Sequence, residues 1–354
     1  MEPSEPRDTK DRLRRRIEAY HEAALAYAAV KLTIPETMGA DAWTATHLAD
    51  ALDLSAPHLE RLLRGLTTLG LVDVRSGDTV EDAYVLTEAG HALAPGAASG
   101  LREKLLIVIE QYWQPWAHLA SSVTTGRPAF EHVFGKSVLE WRQSNAEHGD
   151  VFDAYLARET FTNAAPILER LDVTDAETVA DLGGGHGGLL AAVLAKHAHL
   201  KGLLVDRTTA LEPARAYLEL AGVADRISFV TCDIRETVLP PANLYLLQGV
   251  LQQHDDDEAR KILENIREAL SPRARLVVIE RLMPDHPPDA RATDTRATDD
   301  PAAIMLDLHM MTITGGRVRT KSEMEALLRY AGLAVTAPSR TDDGLAIIEA
   351  SAPE

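Results

Sequence analysis

The sequence has very little cysteine and comparatively little positive charge. Among 354 residues the only cysteine is Cys232, so an intramolecular disulfide and a cysteine-rich zinc site are both excluded. There are 36 Lys and Arg residues but 54 Asp and Glu residues, which gives a formal net charge of −18. Because such a chain repels polyanions on average, we expect no nucleic-acid partner.

Long apolar runs are absent as well. No window of about 18 residues is apolar throughout, so the sequence predicts no membrane span and no membrane partner. The stretch 1–16 is charged along its length and lacks the apolar segment of a secretory signal. Together with the single cysteine, these absences lead us to expect a cytoplasmic protein.

Hydrophobic residues make up 45% of the chain, and the length suffices for two domains. Residues 1–100 contain helix, turn, helix and two short strand-like runs, which is typical of a winged helix. Residues 101–170 continue as helix and carry most of the aromatic residues. From 171 to 354, short apolar runs alternate with helical stretches, which predicts a doubly wound α/β domain with a parallel sheet. LAVT and LAIIEA predict a final hairpin, and the polar stretch 284–301 predicts a surface loop.

A glycine-rich turn follows the first strand of the α/β domain and leads into a helix. Gly183, Gly185 and Gly188 match the dinucleotide pattern G-x-G-x-x-G, whereas Asp181, Gly183, Gly185 and Gly187 match the pattern of S-adenosylmethionine enzymes. A pyrophosphate gains nothing from the nearby carboxylate of Asp181, but an ammonium and a sulfonium group are attracted by it. We therefore expect S-adenosylmethionine as the cofactor.

Two further acids follow the next two predicted strands. Asp206 ends the second strand, where a carboxylate can accept hydrogen bonds from both ribose hydroxyls. Asp233 follows the third strand and can accept from the adenine amino group, while Ile234 can pack on the adenine face. A glycine turn that serves only helix packing would not explain this pair of acids.

The chain resembles the winged-helix O-methyltransferases of plant and bacterial secondary metabolism. The resemblance rests on LERLLRGLTTLGLV, DLGGGHGGLL, LYLLQGVLQQHDDDEARKILENIREAL, LVVIER and DLHMMTITGGRVRTKSEMEALLRYAGL, which occur in the family's order. It is strongest to bacterial members that tailor aromatic natural products, a group that includes a non-methylating hydroxylase. It implies a Rossmann-like sheet of seven strands, a homodimer formed through the N-terminal domain, S-adenosyl-L-homocysteine as product and a small aromatic substrate.

The family's motifs imply a set of cofactor contacts that runs from the methionine part to the adenine. These cofactor-binding positions are Asp181, Gly183, Gly185, Asp206, Arg207, Asp233, Ile234, Gln248 and His254. Gln248 lies where the family has a polar residue near the cofactor's tail. His254 replaces the tryptophan that usually stacks on adenine, and its imidazole offers a smaller stacking area.

The general base of many plant members is missing. Gln252 occupies the position of their catalytic histidine, and a carboxamide has no useful basicity. Glu280 matches one of the two carboxylates that flank that histidine, but the other position holds Val318. The resemblance therefore implies catalysis by proximity and orientation, with Gln252, Gln253 and Glu280 as the catalytic candidates.

The aromatic segment and the helix before the last loop supply candidates for a substrate pocket. They are Trp113, Trp116, Phe130, Phe134, Tyr155, His309 and Met310. For each aromatic residue, packing between helices is the alternative explanation. His118, His132 and His309 are alternative bases, although structural roles explain them more simply, and the sequence indicates no metal site.

Three functions remain in competition. The first is an O-methyltransferase that acts on a hydroxylated aromatic or polyketide-like metabolite. The second is an enzyme that uses the same fold and cofactor for hydroxylation, decarboxylation or pericyclic ring closure, with the sulfonium as a fixed charge. The third is a binding protein without catalysis. A DNA-binding winged helix is disfavoured because it requires a basic surface.

Overall fold

The computed structural model divides the chain into two compact units, residues 1–113 and 114–354. The residues it describes are 9–75, 82–285, 300–336, 338–342 and 344–353. Most of the surface loop predicted at 284–301 lies outside these described residues. Within the described ranges, no helix is both long enough and apolar enough to cross a bilayer.

The first unit is mainly helical and contains a small antiparallel sheet in the order β1-β3-β2. Its elements are α1 (Thr9–Glu18), α2 (Tyr20–Lys31), α3 (Ile34–Met38), β1 (Trp43–Thr44), α4 (Ala45–Leu52), α5 (Ala56–Thr68), β2 (Val72–Arg75), β3 (Ala83–Leu86), α6 (Glu88–His91), α7 (Leu101–Ile107) and a π-helical turn (Val108–Tyr112). The succession of α4, α5, β2 and β3 confirms the predicted winged helix.

Helix α5 shows why this unit folds as it does. Leu59, Leu63 and Leu66 lie on one face of the helix and are at most 3% exposed. Helix α4 begins directly after Thr44, whose hydroxyl accepts a hydrogen bond from the His47 N–H at 3.2 Å and caps the helix.

The second unit joins a helical segment to an α/β domain. Its helices are α8 (Trp113–Ala117), which begins at the unit boundary, α9 (Leu119–Thr125), α10 (Ala129–Phe134), α11 (Val138–Ser144), α12 (Ala146–Thr162), α13 (Ala164–Leu168), α14 (Gly188–Lys196), α15 (Thr208–Leu220), α16 (Asp256–Ala269), α17 (Pro301–Ile313) and α18 (Lys321–Tyr330). Its strands are β4 (Thr178–Leu182), β5 (Lys201–Asp206), β6 (Ile227–Thr231), β7 (Leu244–Gln248), β8 (Arg275–Arg281), β9 (Ala334–Val335), β10 (Ser339–Arg340) and β11 (Leu345–Ser351).

The large sheet has the strand order β6-β5-β4-β7-β8-β11, with β9 and β10 both paired to β11. Strands β4 to β8 are mutually parallel, and β11 runs antiparallel to β8. Chain order reverses at β4, which pairs with β5 on one side and β7 on the other. This confirms the doubly wound α/β domain and places a ligand crevice at the carboxyl end of β4.

Among the described residues the sheet contains eight strands, and β9 and β10 together take the place of one of the seven strands that the resemblance implied. The predicted final hairpin is present, but its first strand is divided into β9 and β10, which pair with opposite ends of β11. Pro338 lies between the two pieces and has no N–H to donate to the ladder, so continuous pairing is interrupted there.

Helices cover both faces of the sheet. Buried residues of α16 and α18 pack on one face in one apolar cluster, and those of α13, α14 and α15 pack on the other face in a second cluster. Adjacent strand residues alternate between the clusters, as Val179 and Ala180 of β4 do. Burial on both faces explains why the strands are apolar throughout.

Removing a core side chain from α16 should destabilise the α/β domain. Leu263 is fully buried, so Leu263→Ala should lower the free energy of unfolding by about 2–5 kcal/mol. Leu220, at the end of α15, is 91% exposed, and Leu220→Ala is the matched control, with an expected change within about 0.5 kcal/mol. Denaturant titration followed by circular dichroism measures both, and equal losses would show that the core is misplaced.

Candidate active site

The candidate site lies along the carboxyl edge of the parallel strands. The glycine-rich turn follows β4, Asp206 ends β5, Asp233 follows β6 and Gln248 ends β7. Because parallel strands end at the same edge of a sheet, the fold brings these separately predicted positions to one edge.

The glycine-rich turn is held to β5 by backbone groups. The Gly183 N–H donates to Val205 O at 2.8 Å, and the Gly185 N–H donates to Asp206 Oδ2 at 2.8 Å. Gly185 has a φ of +56°, a conformation that favours glycine. A Cβ at this position would meet no atom within 4 Å, so the backbone faces open space. A ligand can therefore approach the main chain here.

A buried acid, Asp181, and a half-buried acid, Asp206, lie next to this turn. Asp181 is 2% exposed, and its Oδ2 has no hydrogen-bond partner among the described residues. Burial, together with the nearby charge of Asp206, raises the pKa of Asp181 to about 7. Burial also raises the pKa of Asp206, although the N–H groups of Arg207 and Gly185 partly offset the effect. The Arg207 N–H donates to Asp206 Oδ1 at 2.7 Å. Two desolvated carboxylates at one edge favour a cationic ligand.

Four side chains, termed here the Arg235 network, connect the end of β6 to α16. Arg235 donates to both oxygens of Asp233, at 3.0 and 2.7 Å, and holds the pKa of that carboxyl down to about 2. Arg235 Nη1 also donates to Glu258 Oε1 at 2.7 Å, and Glu258 Oε2 lies 2.9 Å from His254 Nδ1. Since a carboxylate only accepts, Nδ1 of His254 carries the proton and the ring orientation is fixed. Ile234, 9% exposed, lies beside the network.

Residues 250–254, termed here the Gln252 turn, follow β7 and contain a 3₁₀ turn. Glu280 Oε1 accepts the Gln252 N–H at 3.0 Å. Glu280 is 1% exposed, and burial raises its pKa to about 7 although the positive charge of Arg319 opposes the shift. Through this bond Glu280 positions the turn, and its predicted catalytic role stays a prediction.

The glutamines at this edge bring no acid or base. Gln253 is exposed, and its Nε2 donates to Gly249 O at 2.8 Å. Gln252 is half-buried, and no hydrogen bond to its side-chain amide is found within the described ranges. Gln248 is half-buried at the end of β7. A carboxamide offers hydrogen bonds but does not take up a proton at neutral pH, so a general base is missing from these positions.

Trp116 and His309 form a pair between α8 and α17. The Trp116 Nε1–H donates to His309 Nδ1 at 3.2 Å, and the rings stack with centroids 6.1 Å apart. Because Nδ1 accepts, the neutral ring carries its proton on Nε2. Burial, assisted by the charge of Arg142, lowers the pKa of His309 to about 4. The imidazole is therefore neutral at neutral pH and is a poor general base.

The other pocket candidates have different surroundings. Phe130 is fully buried and packs against Phe134 and Trp141 at centroid distances of 4.6 and 5.7 Å. These contacts are those of helix packing, and its predicted place in a pocket wall stays a prediction. Phe134 and Tyr155 are half-buried and Met310 is 8% exposed, so their substrate contacts stay predictions.

Trp113 belongs to the first unit, where the Tyr20 ring lies edge-on at 6.3 Å. Its predicted contact with a substrate stays a prediction.

His118 is exposed, and its Nδ1 lies 2.9 Å from the Gln114 carbonyl oxygen, which accepts from it. His132 is exposed as well, with its ring 5.5 Å from that of His118. Both have the surroundings of surface residues.

Sequence reasoning missed four residues near the site. Arg235 is only two residues from Asp233, so its proximity was visible, but Glu258 joins the network only through the fold. His186, within the glycine-rich turn, has a buried Nε2 that lies 3.5 Å from Asp153 Oδ2. Asp153 lies on α12, and its charge contributes to the raised pKa of Asp206. No local pattern indicates this contact.

A doubly wound sheet with an open glycine turn and an acid at the next strand end defines the class of Rossmann-like enzymes that bind nucleoside cofactors. Comparison with known proteins identifies the family. The O-methyltransferase domain model matches residues 116–334, and the O-methyltransferase dimerisation domain model matches residues 16–96.

Two curated relatives and one solved structure illustrate the similarity. The mitomycin biosynthesis 6-O-methyltransferase of Streptomyces lavendulae is 32% identical, over 88% of this chain and 86% of the relative. The aclacinomycin 10-hydroxylase of Streptomyces purpurascens is 32% identical, over 87% and 80%. An O-methyltransferase from neocarzinostatin biosynthesis, solved with S-adenosylmethionine and 2-hydroxy-5-methyl naphthoic acid, superposes with a TM-score of 0.77, at 29% identity over 94% and 96%.

The chain belongs to the O-methyltransferase family and is an S-adenosylmethionine-dependent methyltransferase with a dimerisation domain. The expected family, fold class and cofactor are thereby confirmed.

The raised pKa of Glu280 makes stability depend on pH. In the folded chain this carboxyl titrates at about 7, whereas its ordinary value is 4.5. The folded state therefore keeps a proton that the unfolded state loses, and stability falls as pH rises from 4.5 to 7. Glu280→Gln cannot lose this proton, so the decrease in the free energy of unfolding over this pH range should be smaller by as much as about 3 kcal/mol.

Unfolding titrations at pH 5 and pH 8 test this expectation, with Glu264→Gln as the control, because Glu264 is exposed on α16. A pH dependence that is unchanged in Glu280→Gln would contradict the assignment.

Proposed function

We propose that this enzyme transfers the methyl group of S-adenosylmethionine to a hydroxyl oxygen of an aromatic or polyketide-like metabolite. The observation that carries the proposal is the open glycine turn with the desolvated carboxylates of Asp181 and Asp206 beneath it. The hydroxynaphthoic acid bound to the solved relative and the mitomycin pathway of the curated relative support an aromatic acceptor.

The residues at the carboxyl edge fit this cofactor. The orphaned Oδ2 of Asp181 is suited to a cationic group, and the Gly185 backbone faces open space nearby in the same turn. In this proposal Asp206 accepts from the ribose hydroxyls, and the Arg235 network holds the adenine beside His254. When bound, the cofactor supplies an electrophilic methyl group on a sulfonium.

The chain's own contribution to rate is positioning. Gln252 and Gln253 do not take up the acceptor's proton, and His309 is neutral with Nδ1 already accepting from Trp116. A hydroxyl on an electron-poor aromatic ring loses its proton to water readily. Holding two reactants in alignment can lower the barrier by about 7–11 kcal/mol without a base. Base-free methyl transfer is thus within the range that orientation supplies.

We also propose that the enzyme works as a homodimer formed through residues 16–96. The match of this region to a dimerisation domain supports the assignment. Size-exclusion chromatography with light scattering tests it directly.

An alternative keeps the cofactor and changes the reaction. The relation to aclacinomycin 10-hydroxylase and the absence of a base at Gln252 favour it.

One assay separates the two functions. The enzyme is incubated with methyl-labelled cofactor and with 2-hydroxy-5-methyl naphthoic acid or 1,4-dihydroxy-2-naphthoic acid, ligands of solved relatives, alongside a wider set of aromatic hydroxy compounds. Label in the product supports methyl transfer, whereas cofactor-dependent turnover without label supports the alternative.

Truncating Gln252 should leave most of the activity. A general base contributes roughly 10²–10⁴-fold to rate, so a site that lacks one has no such factor to lose. Gln252→Ala should lower kcat by less than about tenfold on the best acceptor found. Gln253→Ala is the control, because its side chain is exposed and bonds within the turn. A hundredfold loss confined to Gln252→Ala would show that the glutamine takes a direct part.

Cofactor binding should release a proton from Asp181. Its pKa is about 7 in the free enzyme, and a nearby cation lowers the pKa of a carboxyl. Affinity should therefore rise with pH up to about 7. Calorimetry in buffers of different ionisation enthalpy measures the release.

Asp181→Asn should abolish the proton release. Glu280→Gln is the control, because the pKa of Glu280 is also raised to about 7, and this variant should retain the release. S-adenosylhomocysteine lacks the sulfonium charge and should release less. An undiminished release in Asp181→Asn would place the cation elsewhere.

A further inference from the structure

We propose that Arg319 is a positioning residue of the active site, whose buried guanidinium sets the location of the Gln252 turn. The inference rests on the proposed function, because the turn carries Gln252 at the expected base position and His254 at the adenine end. Arg319 itself touches neither ligand in this proposal and acts only through the turn.

The contacts of Arg319 are numerous for a single side chain. It is 1% exposed, and its Nη1 donates to Leu251 O at 2.8 Å while Nη2 donates to His254 O at 3.1 Å. Nε and Nη2 also donate to Asp256 Oδ1, at 3.0 and 2.9 Å. One planar cation therefore connects both ends of the Gln252 turn to the first residue of α16.

Glu280 binds an N–H group of the turn, whereas Arg319 binds its carbonyl oxygens. Glu280 lies at the end of β8, and its Oε1 accepts the Gln252 N–H. The internal bonds of the turn are few: the Gln253 N–H donates to Val250 O at 3.0 Å and the His254 N–H donates to Leu251 O at 3.2 Å. A single 3₁₀ turn is weak by itself, so its position depends on these two external ionic groups.

The backbone around Arg319 leaves the turn no room to shift towards it. A Cβ on Gly316 would lie 2.2 Å from Gln252 O, so only glycine permits this close approach. The Val318 N–H donates to Asp307 Oδ1 at 2.8 Å, and Arg319 O accepts from the Met283 N–H at 3.0 Å. The guanidinium is thus anchored from α17 and from the chain after β8, and it transmits that anchorage to the turn.

Arg319→Lys tests the inference, because an ammonium cannot span two carbonyls and a carboxylate in the geometry of a guanidinium. We expect hydrogen exchange of residues 250–254 to become faster, S-adenosylhomocysteine affinity to fall about tenfold and kcat to fall roughly 10²-fold, the cost of a small misplacement at a reacting centre. KM for the acceptor should change much less than kcat.

Arg275→Lys is the matched control. Arg275 begins β8 at the opposite edge of the sheet, where it donates to Asp172 O at 2.8 Å and Glu349 Oε2 at 3.2 Å. Its loss should lower stability without changing exchange at the Gln252 turn or kcat. Asp256→Ala is the second test variant, because Asp256 is 42% exposed and alanine removes the oxygen that accepts both Arg319 bonds while the fold is retained. It should produce the same three effects in smaller size.

Unchanged exchange and unchanged S-adenosylhomocysteine affinity in both Arg319→Lys and Asp256→Ala would overturn the inference. Should Arg319→Lys fail to fold, the same two measurements on Asp256→Ala decide alone. Failure of the proposed function has a separate signature, since it would appear as an absence of methyl transfer in the unmodified enzyme. Exchange and cofactor affinity would still test the role of Arg319.

Discussion

Charge buried without compensation at the carboxyl edge is the constraint on which the site depends. Asp181 and Asp206 lie in a desolvated layer beneath the glycine turn, and each would be more stable as a neutral acid or beside a cation. The structure provides N–H donors for Asp206 but leaves Asp181 Oδ2 without a partner in the described part of the chain. A ligand that brings positive charge removes this penalty, so the desolvated acids favour a cation at this edge of the sheet.

The second half of the site depends on buried ionic groups of another kind. Glu280 accepts an N–H of the Gln252 turn, and Arg319 donates to carbonyl oxygens of the same turn. Both side chains are shielded from solvent. This arrangement fixes the backbone around Gln252 without supplying a base there. The relatives of this chain include both an O-methyltransferase and a hydroxylase, so the family's scaffold is compatible with more than one chemistry.

The sequence predicts those features that depend on local pattern. The winged helix, the parallel strands and the acids at the ends of β4 and β5 and after β6 follow from spacing and from residue type. It does not predict contacts that form only when distant segments meet, such as Arg235 with Glu258 or His186 with Asp153. It also does not show which aromatics are fully buried, because Phe130 and Trp116 have similar surroundings in sequence and differ only in what packs around them. The enclosure of Glu280 is not visible in the sequence for the same reason, since burial is a property of the fold.

The divided strand, β9 and β10, lies at one edge of the large sheet and limits pairing with strands of other molecules there. An unbroken outer strand offers a row of unpaired amide and carbonyl groups that a second molecule can join. Here β9 and β10 are two residues each, and Pro338 lies between them. This edge of the sheet is therefore too short and too irregular to pair with a strand of another molecule. The interruption therefore makes this edge of the sheet a poorer template for strand addition than the continuous strand β6 at the other edge.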